Sequence, residues 1–261
     1  MIRLEPAGFL ALDAVRLEYR FTGPLPDAAP TLVLLHEGLG SADQWGPLPA
    51  ALVQETGCSV LTYSPQGYGT SSPIPLPRPI DFLEREAHDV LPRVLNQIGF
   101  RRGMLIGHSD GASIAALALA VSDARIRGGV LIAPHFFVEE VTLLGARKAR
   151  DAYEIGDLRA RLAHRHADVE GAFRGWNDAW LDPKRRDWNI CGALARCSAP
   201  VMILQGTDDT YGTRDQIAVA ERACPEQLTV FEFSGVGHEP HRDAFFRSLL
   251  VMSRFIRQVL T

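Results

Sequence analysis

Ser109 stands at the centre of Gly107-His108-Ser109-Asp110-Gly111, a G-x-S-x-G pentapeptide. A serine hydroxyl is a weak nucleophile at neutral pH until a base takes its proton, and histidine has the pKa for that task. Of the eight histidines, His238 has the best setting, at the end of the glycine-rich stretch Ser234-Gly-Val-Gly-His238. A carboxylate must then hold the imidazole tautomer and stabilise the imidazolium. Asp208 and Asp209, in Gln205-Gly-Thr-Asp-Asp209, are both placed to supply it, and spacing alone does not separate them.

These residues need elements to carry them. The apolar run at 103–106 predicts a buried strand and the Ala-rich run at 112–121 a helix. Glycines on both sides of Ser109 allow the sharp turn between them. The helix start would aim free N–H groups and a positive dipole end at an oxyanion. Period-two alternation over 9–21 around Asp13-Ala14 predicts a β-hairpin. Continuous apolar runs predict strands at 31–35, 58–63, 129–133, 201–205 and 229–233, of the kind buried on both faces. Helices are expected at 45–56, stopped by Gly57, at 81–98, with Asp81 as N-cap and Gly99 as stop, and at 243–260 as an amphipathic closing helix. Alternating strands and helices imply a mostly parallel sheet with helices on both faces. More than sixty residues between Pro134 and Val201 show no convincing strand and hold Trp176, Trp180 and Trp188. A structureless loop of that length is not expected in a compact domain, so 137–199 is read as a helical insertion over the carboxyl edge of the sheet.

At 261 residues the chain can bury a large core as one α/β domain. A net charge of −4 argues against nucleic acid or an anionic membrane as partner. The arginine pairs at 101–102 and 185–186 read as solvated faces. Cys58, Cys191, Cys197 and Cys224 lack C-x-x-C spacing and read as reduced thiols. Residues 1–20 contain no long apolar core of a signal peptide, and no stretch is long enough to span a membrane, so a cytoplasmic protein is expected. A small-molecule substrate is the expected partner, and no signal bears on oligomeric state.

The order Ser109, Asp209, His238, the His36-Glu37-Gly38 loop, the Gly67-Tyr-Gly loop, the elbow, the Gly206 acid loop and the Gly237-His238 loop together resemble the α/β-hydrolase superfamily over nearly the whole chain. The resemblance implies one domain over 1–261, with 137–199 as a helical cap inserted in a core of 1–136 and 200–261. It selects Asp209 over Asp208, because the acid in that family usually falls three residues after the loop glycine. It also implies an oxyanion hole from the backbone N–H groups of Asp110 and Gly38. Two departures stand out: Glu37 replaces a usual glycine, and Ser64-Pro65-Gln66-Gly67 stands where many relatives have Asp-x-Arg-Gly. A carboxylate there opposes oxyanion formation unless it points away or pairs with a cation, for which an arginine of the insertion is the expectation.

The implied activity is that of a serine carboxylic ester hydrolase, or carboxylesterase, working through an acyl-enzyme without metal or organic cofactor. Rivals are a C–C bond hydrolase of the meta-cleavage type, a thioesterase and, in another class, a ligand-binding protein with little turnover. Glu37, His135, Trp176 and Trp180 are the candidate pocket residues. His36 and His108 read as loop-packing residues, and His164 and His166, at i and i+2, do not suit a metal. Asp178 with Arg174 reads as a surface ion pair.

Overall fold

The computed structural model describes residues 4–260, so the first three residues of the N-terminal stretch read above lie outside them. The hairpin forms first: β1 (Ala7–Leu12) and β2 (Val15–Thr22) pair antiparallel, with Asp13 in the left-handed region at φ 55°. β2 then pairs antiparallel with β4 (Ser59–Tyr63). The remaining pairs are parallel and involve β3 (Thr31–Leu35), β5 (Gly103–His108), β6 (Ile126–Ile132), β7 (Val201–Gly206) and β8 (Leu228–Phe233). The strand order is β1-β2-β4-β3-β5-β6-β7-β8. Every residue of β3, β4, β5 and β7 is buried, which is why those segments read as continuous apolar runs.

Alternate residues of the strands face two separate cores. Leu32, Leu34, Met104, Ile106, Val130, Ile132, Met202 and Leu204 point to one face. There α1 (Leu48–Thr56) and α11 (Phe245–Leu260) cover them. Val33, Leu35, Leu105, Leu131 and Ile203 point to the other face. They meet α2 (Phe82–Arg85), α3 (Leu91–Gln97) and α4 (Asp110–Leu119).

The helix expected at 81–98 is not continuous. A single π-helical turn, Glu86–Val90, separates α2 from α3. Pro92 lies in the first turn of α3 and has no N–H to donate to a preceding carbonyl, so the widened turn absorbs the lost bond. Asp81 makes no side-chain cap; its carboxylate pairs with Arg85 at 2.8 Å instead. The helix expected from 45 begins at Leu48, and the closing helix is preceded by the short α10 (Pro240–Asp243).

Residues 137–199 hold α5 (Glu140–Glu154), α6 (Leu158–Ala163), α7 (Val169–Leu181), a 3-10 turn at Pro183–Arg185 and α8 (Cys191–Leu194). The Asp168 side chain caps α7 by accepting from Gly171 N–H at 2.9 Å. Asn177 of α7 donates to the Ala146 carbonyl of α5, and Tyr153 stacks on Phe173 at 3.7 Å, locking the two helices together. A final helix, α9 (Arg214–Ala223), follows β7.

Two charge assignments made from sequence need correction. Arg174 does not pair with Asp178: it holds Glu154 and Glu170, while Asp178 pairs with Arg150 at 2.8 Å. Arg101 and Arg102 are exposed, but Arg185 is only 1% exposed. Its guanidinium lies against the rings of Phe82, Trp180 and Trp188 at 5.0, 4.5 and 4.6 Å and donates to the Ile80 carbonyl. Aromatic faces offset part of its desolvation cost, which an arginine pair read by sequence cannot reveal.

A Cβ at Gly111 would lie 1.9 Å from the Leu35 carbonyl oxygen, a backbone atom that cannot give way. Gly111→Ala should therefore lose about 3 kcal/mol of stability in urea unfolding. Gly192→Ala is the control: its Cβ would meet only the Arg196 side chain, at 3.7 Å, so a change below about 0.5 kcal/mol is expected. Equal effects of the two would contradict this packing.

Candidate active site

Ser109 joins β5 to α4 with φ 54° and ψ −116°, in the region that non-glycine residues rarely enter. Such a conformation costs about 1–3 kcal/mol and persists only where its surroundings impose it. Here they do: a Cβ at Gly107 would lie 2.1 Å from the Gly111 carbonyl, and one at Gly111 would strike Leu35. The Ser109 N–H donates to the Ile132 carbonyl of β6 at 2.9 Å, fixing the turn from the other side. Asp110 opens α4, so its N–H has no helical acceptor. Among the described residues neither that N–H nor the N–H of Gly38 is hydrogen-bonded to protein. Gly38, Ser109 and Asp110 line one cavity.

His238, in the loop after β8, lines the same cavity, and Asp209, in the loop after β7, holds its ring. The His238 Nδ1–H donates to both Asp209 oxygens, at 2.9 and 2.8 Å. Asp209 also accepts from Gln205 Nε2 at 2.7 Å and from the Tyr211 N–H at 2.8 Å. Burial raises the pKa of this carboxyl, but His238 and the Tyr211 amide outweigh it and hold it below the ordinary value. Asp208 is exposed and takes only the Thr207 hydroxyl. The Ser109 hydroxyl makes no hydrogen bond among the described residues, so its contact with the His238 ring would form on substrate binding.

The Glu37 carboxylate finds its cation, though not the arginine expected from sequence. Its Oε2 stands 3.5 Å from Nδ1 of His108, the residue just before Ser109. Burial raises the Glu37 pKa, and the neighbouring His108 ring reverses this and holds it well below the usual carboxylate range. Burial lowers the His108 pKa, and Glu37 more than restores it. Glu37, His108 and Glu239 bring ligand-type atoms within 4.8 Å of one another.

The other histidines serve the loops. His166 accepts from Gly69 N–H at Nδ1 and donates from Nε2 to the Leu39 carbonyl, which makes it neutral. Burial takes its pKa down to about 4. The His36 Nδ1–H donates to the Glu37 carbonyl at 2.6 Å. His164 is exposed.

The cavity measures about 330 Å³. All four pocket residues named from sequence, Glu37, His135, Trp176 and Trp180, line it. Trp176 closes over the Gly38 loop so tightly that a Cβ on Gly38 would meet its indole nitrogen at 2.0 Å. Trp180 Nε1 donates to the Asp110 carboxylate at 3.1 Å. Burial pushes that carboxyl up to about 6, against the pull of Arg185 and Trp180. His135 lies 5.7 Å from the His238 ring, and burial together with His238 lowers its pKa, keeping it neutral. Sequence reasoning missed Tyr211, whose ring sits 4.9 Å from His238, and Thr142 and Ala146 of α5. Tyr211 falls two residues after Asp209, a signal within reach; nothing local marks Thr142 or Ala146. Among the described residues no lysine or arginine lines the cavity.

Comparison with known proteins places the chain in a family. The model of the alpha/beta hydrolase family matches residues 32–247. The human protein "Serine hydrolase BPHL" is 28% identical over 207 residues, 77% of this chain and 69% of its own length. Zearalenone hydrolase of Cladophialophora bantiana is 26% identical over 66% of this chain and 59% of its own. Among solved structures, VinJ superposes with TM-score 0.78 at 22% identity, covering 97% of this chain and 98% of that one. The enol-lactonase from Burkholderia xenovorans LB400 gives 0.75 at 22%, covering 95% and 99%. A family match that starts in β3 and ends in α11 takes in the strained turn, the acid loop and the histidine loop together, and on that ground the chain belongs to the alpha/beta hydrolase family.

Proposed function

We propose that this protein is a serine hydrolase of small carboxylic esters, with residues 137–199 acting as a cap over the site. One observation carries the reading. Ser109 sits on an imposed, strained turn beside two unengaged N–H groups, in a cavity it shares with His238, whose ring is held by Asp209. The Ser109 oxygen attacks the ester carbonyl as His238 Nε2 takes its proton, and Asp209 stabilises the imidazolium. The N–H groups of Gly38 and Asp110 receive the oxyanion. Collapse expels the alcohol with the proton returned from His238, and water repeats the sequence on the acyl-enzyme. The 28% identical relative named a serine hydrolase supports the nucleophile.

The cavity wall favours an ester over the C–C hydrolase alternative. A dienoate substrate of the meta-cleavage type carries a carboxylate. It would meet Asp110, Glu239 and Asp243, with Glu37 already met by His108 and, among the described residues, no lysine or arginine on the wall to receive it. A thioester carries no such penalty and remains the closer rival. A volume of about 330 Å³ suits a small acyl group.

Initial rates on p-nitrophenyl acetate test the reading. Ser109→Ala should reduce kcat by about 10³-fold or more, and activity within about tenfold of wild type would remove Ser109 from the chemistry. Asp209→Asn should cost about 10³-fold or more, whereas Asp208→Asn should stay within about threefold; the reverse ranking would overturn the acid assignment. An otherwise similar ester bearing a free carboxylate, such as p-nitrophenyl hemisuccinate, should show kcat/KM about tenfold lower or worse. Equal rates would contradict the acidic wall as a selector.

A further inference from the structure

His108 touches three parts of the site at once. It is the last residue of β5, directly before Ser109. Its Nε2 lies 2.9 Å from the backbone carbonyl of His238; a carbonyl only accepts, so Nε2 carries a proton. Its Nδ1 lies 3.5 Å from the Glu37 carboxylate and has no hydrogen-bond partner, in a side chain that is 1% exposed. A buried ring nitrogen facing a carboxylate is satisfied by taking the second proton, because a neutral ring would leave a lone pair against a negative oxygen.

We propose that Glu37 and His108 are positioning residues: their ion pair, buried at His108 and partly exposed at Glu37, anchors the backbone of His238 and cancels the Glu37 charge beside the oxyanion site. The inference rests on the serine-hydrolase reading and extends it to what tunes the base. The His108 ring lies 5.0 Å from the His238 ring. With the pair intact, His238 faces a cation and an anion that nearly cancel. With the cation alone removed, Glu37 stabilises the His238 imidazolium and raises its pKa. The other groups facing the two rings are His241, whose ring is 4.7 Å from that of His108, Glu239, His36, Asp209, Tyr211 and His135. None of them is substituted in the variants below, and E37Q/H108Q, which lacks the same His108–His238 hydrogen bond as H108Q, separates loss of that anchor from the change of charge.

The test is a histidine-ring NMR titration of the ¹⁵N-labelled protein as wild type, E37Q, H108Q and E37Q/H108Q. It is paired with the pH profile of kcat/KM on p-nitrophenyl acetate. His108 should carry protons on both nitrogens near neutral pH in wild type and only on Nε2 in E37Q. The His238 midpoint, and with it the acid limb of the profile, should rise by about one pH unit in H108Q. It should return in the double variant and move little in E37Q, which leaves the net charge of the pair unchanged. Residues that merely pack would leave all four midpoints alike, and that result overturns the proposal. So does a wild-type His108 with a bare Nδ1, or one whose signal changes on adding a chelator. Should H108Q fail to fold, the ring states in wild type and E37Q still decide. Absent ester turnover in wild type refutes the hydrolase reading, while the NMR arm continues to report on the pair.

Discussion

The site depends on a close approach of backbones. The first turn of α4 presses against the end of β3, leaving no room for a Cβ at Gly111, and Gly107 is closed off in turn by the carbonyl of Gly111. That contact forces Ser109 into its left-handed conformation and lifts the hydroxyl out of the sheet. The same contact brings the start of α4 and the loop after β3 to one cavity, so that two N–H groups from different elements face it together. The strained serine and the two open N–H groups thus answer to one constraint, built from glycine and paid for by the burial of β3, β5 and β6 around it.

The charges follow a second logic. Carboxylates gather in and beside the cavity, and four of them are met by different means. Asp209 is met by an imidazole and an amide N–H, Glu37 by His108, and Glu239 by Arg242 at 2.7 Å. Asp110 is held by an indole N–H, with the buried Arg185 behind it. Arg185 in turn lies among the rings of Trp180 of α7, Trp188 beyond it and Phe82 of α2. The helices of 137–199 are therefore tied to the site electrostatically as well as by the packing of Trp176 on Gly38.

Sequence carried the fold well because its signals are local. Continuous apolar runs mark strands buried on both faces, and the Gly-rich motifs sit at strand ends where turns must be tight. Placement of Ser109 and His238 followed from those motifs, whereas Asp209 was separated from Asp208 only by the family resemblance. What sequence did not carry was pairing across distance. Arg185 read as solvated because nothing near it in the chain announces the cage of Phe82 and Trp188. Glu37 was assigned an arginine of the insertion when its partner was His108, a neighbour only in the folded sheet. Asp178 and Arg174, four apart on one helix, each took a partner from elsewhere. The helix at 81–98 failed for a local reason that was visible, Pro92, whose missing N–H was not weighed against the apolar period.

The central claim is a covalent acyl intermediate on Ser109. The most direct measurement mixes the protein with p-nitrophenyl acetate, quenches in acid within a turnover, and locates any added acyl mass by peptide mass spectrometry. The account predicts an acetyl increment on the peptide carrying Ser109, at that oxygen and lost as substrate is exhausted. Ester consumed with no increment there, or with the increment on another side chain, would contradict it.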